Sequence, residues 1–131
     1  MAANHEMIEF ESEGATLRGT LHRSENPEAP LVIMAHGFSA TAHMSINAFA
    51  AHLADAGHHA FAYDHRNFGT SDGEPRFAVD QWRQIRGYND AITHTLGLDG
   101  VQTNQVVVWG ESMGGGTVHF VAAFDPRVTA V

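Results

Sequence analysis

The chain has 131 residues, 44% of them hydrophobic and 17% charged, a balance that suits one packed domain and excludes a chain too polar to form a core. Fifteen acidic residues against seven Lys and Arg give a formal net charge of −8, so the clustered cationic surface that nucleic acid or an anionic membrane demands is missing. The absence of cysteine removes disulfides, a thiolate nucleophile and a Cys-based zinc site, and no apolar run approaches the roughly 18 residues of a membrane span. The N-terminal residues 1–6 lack a basic stretch followed by an apolar one, and a cytoplasmic location is the resulting expectation.

In chain order, Ile8 and Phe10 alternate with Glu9 and Glu11, and Leu17, Gly19 and Leu21 alternate with Thr16, Arg18 and Thr20. With Glu13-Gly14 between the two runs, the first unit is predicted as a half-exposed antiparallel hairpin. After the turn-forming residues 26–30, the continuous apolar run 31–35 predicts a parallel strand covered on both faces. Residues 44–54 place Ile46, Phe49, Ala50 and Leu53 on one helical face, with Gly57 positioned to end the helix. Residues 60–63 read as the next strand and 64–77 as a loop. A second helix, capped by Asp80, follows with Trp82, Ile85, Tyr88, Ile92 and Leu96 at helical spacing. Residues 106–109 form a strand, glycine-flanked Ser112 a sharp turn, and a third helix runs to about Phe124, where Asp125-Pro126 stops it. Another strand begins at Val128. This alternation predicts a single α/β domain over residues 1–131, with a hairpin, then parallel strands, and helices on both faces of the sheet.

Gly110-Glu111-Ser112-Met113-Gly114 joins the last long strand to its helix. Small residues on either side permit a tight, strained turn that pushes the serine into the open. The unpaired N–H groups of the helix start favour the negative charge that develops on an attacked carbonyl oxygen. The pattern points to Ser112 as a nucleophile and to the Met113 N–H as an oxyanion donor.

With the elbow placed, nearly the whole chain resembles the α/β-hydrolase superfamily. His36-Gly37-Phe38 is similar to the family's oxyanion loop, and the resemblance implies that the Phe38 N–H is the second donor. Residues 64–71 are similar to the family's Asp-x-Arg-Gly-x-Gly-x-Ser loop, with Asn67, which tolerates left-handed backbone, in place of a glycine. Residues 72–76 and Trp82 are most similar to dienelactone-hydrolase-like esterases and to acyl and polyketide transferases, although Ser112 stands where true dienelactone hydrolases carry cysteine. The resemblance implies cleavage of an ester, thioester or similar small-molecule acyl substrate through an acyl-enzyme on Ser112, without metal or dissociable cofactor. Acyl transfer to a non-water acceptor is the alternative on the same residues.

A serine hydroxyl is a weak nucleophile until a base takes its proton. The resemblance places the acid and the His base downstream of Ser112, whereas the sequence stops at Val131. The expectation is a fold truncated after the nucleophile helix, with acid and base outside residues 1–131 and an apolar edge strand at 127–131 that calls for a complementing C-terminal chain or self-association. The different-class alternative is a non-catalytic fragment or binding module.

Within the chain, His119 lies two helical turns from Ser112, roughly 10 Å away and too far to take its proton. His36 and His65 are expected to hold loop backbone rather than act as bases, and no histidine spacing matches a metal site. Asp64 and Asp72 are expected in turns and ion pairs with Arg66 as partner, and Glu111 to point away from the site. Phe38 and Met113 are the substrate-contact candidates. Phe38, Met44, Phe68 and Phe77 are equally suited to line an acyl pocket or to pack the core.

Overall fold

In a computed structural model, which describes residues 4–131, strand β1 (His5–Ser12) turns back into β2 (Ala15–His22) through Glu13 and Gly14, with φ of 46° and 79°. Two left-handed residues are what a two-residue hairpin needs to follow the natural twist of its strands. Residues 1–3, which begin the N-terminal stretch and the domain range read from the sequence, lie outside this description. As predicted, Ile8, Phe10, Leu17 and Leu21 are buried while Glu9 and Glu11 face solvent.

The remaining strands are β3 (Leu31–Ala35), β4 (His59–Tyr63), β5 (Val106–Gly110) and β6 (Val128–Ala130), in a six-stranded sheet of order β1-β2-β4-β3-β5-β6. The hairpin joins antiparallel to β4, and β4, β3, β5 and β6 run parallel. Gly19 makes the β2–β4 junction possible: a Cβ there would lie 2.3 Å from the Ala62 carbonyl oxygen.

Helices α1 (Ile46–Asp55), α2 (Gln81–Leu96) and α3 (Met113–Phe124) cover both faces. On one face Leu31, Ile33, Phe61, Tyr63, Val106 and Val108 pack beneath Ile85, Tyr88 and Ile92 of α2 and Val118 and Val121 of α3. On the other, Val32, Met34, Ala60 and Ala62 pack beneath Ile46 and Ala50 of α1. Each large apolar side chain removed from water in this way contributes about 1.5–3 kcal/mol before the entropy of ordering it is subtracted. The Asp80 carboxylate accepts the Arg83 N–H at 3.1 Å and caps α2, and Gly57 (φ 96°) follows the end of α1.

Two expectations of helical burial are corrected. Phe49 and Trp82 share the phase of the buried stripe yet are 54% and 57% exposed. Phe49 packs against the Trp109 ring at 5.9 Å, and Trp82, in the first turn of α2, packs edge-on to Phe120 at the same distance. Helix α1 also begins at Ile46, because residues 42–44 form a separate 3-10 turn.

The feature that builds the site is register. Ala35 pairs with Tyr63 on one side and with Gly110 on the other, so the three central strands end level. The segments that follow them, at 36–38, 64–66 and 111–113, emerge side by side at the carboxyl edge of the sheet, where open α/β sheets form their clefts.

Candidate active site

Ser112 occupies the junction of β5 and α3 with φ 52° and ψ −122°, and its side chain is exposed. A left-handed backbone on a residue with a Cβ is strained and persists only where its surroundings enforce it. Gly110 and Gly114 supply that enforcement: a Cβ on Gly110 would lie 2.2 Å from the Gly114 carbonyl oxygen. Tyr88 of α2 anchors the strand end, its hydroxyl donating to the Trp109 carbonyl at 2.9 Å.

The loop after β3 closes against this turn. A Cβ on Gly37 would stand 3.1 Å from Ser112 Cβ, and one on Gly114 3.4 Å from the His36 carbonyl oxygen. At the start of α3, Gly114 N–H donates to the Glu111 carbonyl at 2.8 Å and Gly115 N–H to the Ser112 carbonyl at 3.0 Å. Among the described residues, the N–H groups of Phe38 and Met113 and the Ser112 hydroxyl have no hydrogen-bond partner.

Both loop histidines are buried. The His36 Nε2 accepts the His65 backbone N–H at 3.0 Å and its Nδ1 lies 2.9 Å from the Gly37 carbonyl oxygen. Burial holds its pKa below the ordinary value, so the ring is neutral at pH 7. The His65 ring sits edge-on among His36, Tyr63 and Tyr88, and burial, reinforced by His36, pushes its pKa down to about 3. Neither His65 ring nitrogen has a partner among the described residues. Exposed His119 lies on α3 beyond the elbow.

Asp64 ties the two loops together. Its Oδ1 accepts the Ala42 N–H at 2.8 Å, and its Oδ2 accepts the Thr70 N–H at 2.9 Å and the Thr70 hydroxyl at 2.8 Å. The expected pairing of Asp64 and Asp72 with Arg66 is corrected. Asp72 pairs with Arg18 at 2.7 Å, while Arg66 donates to the Ser12 and Glu13 carbonyls of the hairpin turn. Asn67 takes φ 72°, the left-handed backbone that its replacement of a glycine implies. Arg76, which sequence reasoning did not single out, staples the loop by donating to the Gly69, Ser71 and Gly73 carbonyls.

Phe38, Met44 and Phe77 are largely exposed, whereas Phe68 is buried with its ring 5.4 Å from His36 and acts as core. Those four do not form one pocket. A cleft of about 180 Å³ lies instead between the start of α2 and the first two to three turns of α3, lined by Trp82, Ile85, Met113, Thr117 and Phe120. Met113 thus has the Ser112 elbow on one side and this cleft on the other, and Phe38 stands outside it. The signal for the cleft was present in the i, i+3, i+4, i+7 series at Met113, Gly116, Thr117 and Phe120.

The family model described as alpha/beta hydrolase fold matches residues 30–131. The chain belongs to the α/β-hydrolase family. It is 37% identical over 95% of its length to the quorum-quenching protein AidA of Acinetobacter baumannii and 35% identical over 96% to the acyltransferase drtE of Aspergillus calidoustus. It spans about 41% of the length of each of these curated relatives. Among solved structures it is similar to the α/β hydrolase GrgF of Penicillium sp. sh18, with TM-score 0.89 and 32% identity over 96% of this chain and 44% of that one. No helix among the described residues is long and apolar enough to cross a membrane.

Proposed function

We propose that this α/β-hydrolase chain carries the nucleophile half of a serine hydrolase that cleaves an ester- or thioester-type acyl substrate through an acyl-enzyme on Ser112. The observation that carries the reading is the left-handed backbone of exposed Ser112, held between Gly110 and Gly114 and closed over by Gly37. Such strain is retained where a side chain must be presented to a reactant. The unpartnered Phe38 and Met113 N–H groups flank the serine and serve as the oxyanion hole, each donor worth roughly 3 to 4 kcal/mol to the transition state. The Ser112 hydroxyl attacks the acyl carbon, its proton passes to a base, and the leaving group departs to give the Ser112 ester, which water then hydrolyses.

The base and its orienting acid come from outside residues 1–131. His36 and His65 are buried, and His36 already has both ring nitrogens engaged with backbone. His119 is two turns down the helix. The chain's 41% share of its relatives' length leaves room for both groups in a complementing C-terminal sequence. Transfer of the acyl group to an alcohol or amine in place of water is the second reading, favoured by the similarity to an acyltransferase, and product analysis with added acceptors separates the two.

Intact-mass analysis after exposure to a fluorophosphonate tests the nucleophile. One adduct per molecule is expected on the full-length protein and none on its Ser112→Ala variant. The folded 131-residue chain alone is expected to stay unlabelled until the complementing sequence is supplied. Labelling that survives Ser112→Ala ends the proposal, and rapid labelling of the isolated chain ends the external base.

A further inference from the structure

We infer that the cleft between α2 and α3 is the acyl-chain subsite of the Ser112 site, and that it selects an uncharged, straight acyl chain of about six carbons. The inference rests on the reading of Ser112 as nucleophile.

Met113 joins the two places. It follows Ser112 directly, its backbone N–H is the proposed oxyanion donor, and its side chain forms one wall of the cleft. From Met113 the cleft runs along α3 past Gly116 and Thr117 to Phe120, roughly 10 Å by helix rise, while Trp82 and Ile85 of α2 supply the facing wall. An acyl group whose carbonyl oxygen is held by the Met113 N–H has the cleft beside its first carbons.

Topology decides which half of the substrate goes there. The sheet order puts β6 at one edge and the hairpin at the other, and α2 packs on β1, so the cleft lies on the hairpin side of α3. The complementing sequence continues from β6. The base that takes the serine proton and returns it to the leaving group therefore approaches from the opposite side of the elbow. The leaving group faces that side, and the acyl chain, which stays on Ser112, faces the cleft.

The lining sets the class of chain. Among the described residues no charged side chain borders the cleft. Thr117 is buried and gives its hydroxyl to the Met113 carbonyl at 3.2 Å, and Gln81 is exposed to water. Trp82 and Phe120 are each about half exposed, an apolar pair that a chain laid between the helices would cover. A volume of about 180 Å³ holds about six groups of methylene size at roughly 30 Å³ each, well short of the roughly 300–1,000 Å³ of sites for larger ligands.

The test uses the full-length protein and p-nitrophenyl esters of straight acids from acetate to dodecanoate. In the wild type, kcat/KM is expected to rise about three- to fourfold with each added methylene as far as hexanoate, and to stop rising beyond octanoate. Gly116 borders the cleft, and a Cβ there meets open space, so Gly116→Leu suits the helix and fills the cleft. That variant is expected to lower the hexanoate-to-acetate ratio of kcat/KM about tenfold or more. Ser112 adducts with hexylphosphonofluoridate and methylphosphonofluoridate are expected to differ in the Trp82 indole N–H shift, assigned with Trp82→Phe, a readout that needs no turnover. A flat chain-length profile, a ratio unchanged in Gly116→Leu, or the same indole shift in both adducts would overturn the inference. Activity that survives Ser112→Ala, or no phosphonate adduct on the full-length protein, would instead overturn the nucleophile assignment beneath it.

Discussion

Gly110 and Gly114 face each other across the elbow with no room for a methyl group: a Cβ on Gly110 would stand 2.2 Å from the Gly114 carbonyl oxygen, a backbone atom that cannot move without unwinding the start of α3. Gly110→Ala should therefore destabilise the fold by about 3 kcal/mol or more, at the upper end of overpacking costs. Gly116, two residues further along the same helix, meets nothing within 4 Å. Gly116→Ala should raise stability by up to about 1 kcal/mol through helix propensity alone. Urea denaturation of the pair is the check, and equal shifts in the two variants would mean that the elbow is not as tight as its backbone indicates.

Ser112 itself holds strain that can be released. At φ 52° and ψ −122° a glycine is far more comfortable than a serine, although glycine also widens the unfolded ensemble. With relief of about 1–3 kcal/mol against an entropic cost of about 0.5–1, Ser112→Gly should be more stable than wild type by roughly 1 kcal/mol and unreactive to fluorophosphonate. Ser112→Ala retains the Cβ and should show no such gain. A thermal melt in which the Gly variant falls below the Ala variant would remove strain from the account of this turn.

Much of this arrangement was readable from the chain. The elbow was legible because glycines at 110 and 114 have few other uses between a strand and a helix, and the Asp80 cap because carboxylates at helix starts act locally. What the sequence concealed depends on which strands become neighbours. Arg18 meets Asp72 only because β2 lies beside β4, and the His36 ring meets the His65 amide only because β4 lies beside β3. Neither pairing has a periodic signature. Trp82 and Phe49 misled for a related reason: helical phase says which way a side chain points, not whether another element lies there to cover it.

The buried His65 makes the fold acid-sensitive. Its folded pKa is held at about 3 against an ordinary 6.5, so between those values the unfolded chain binds more protons than the folded one. Stability then falls as pH drops, by up to roughly 1.4 kcal/mol per unit from this group, and the loss is complete below about pH 3. Asp125, lowered to about 2 chiefly by its hydrogen bonds from Arg127, adds a second loss as pH falls from about 3.8 towards 2. His65→Phe removes two unpartnered ring nitrogens while keeping the backbone N–H that holds His36. It should match or exceed wild-type stability at pH 7 and flatten the acid slope by about one proton, leaving the part due to His22, His36 and His59, which burial also holds low. Denaturation midpoints at pH 4.5 and pH 7 that keep the wild-type difference would refute this assignment.

Asp64 should prove the more sensitive of the two loop carboxylates. Asp72 is exposed and pairs with an Arg18 side chain that water also reaches, so Asp72→Asn should cost less than about 1 kcal/mol. The Asp64 carboxylate accepts from Ala42 on one loop and twice from Thr70 on the other, with Gly69 packed so closely that a Cβ there would lie 2.4 Å from it. In Asp64→Asn the amide NH2 must face one of those donors, since only one oxygen remains and neither backbone N–H can turn away. Either the buried Ala42 N–H or the part-buried Thr70 N–H is left without its carboxylate oxygen, at a cost of about 1–3 kcal/mol if it is Ala42 and less if it is Thr70, which water reaches. Amide exchange locates the effect: Ala42 or Thr70 should lose protection in Asp64→Asn, with Leu31 to Ala35 unaffected. If both amides stay protected and the midpoint is unchanged, the two loops are held together by something other than this carboxylate.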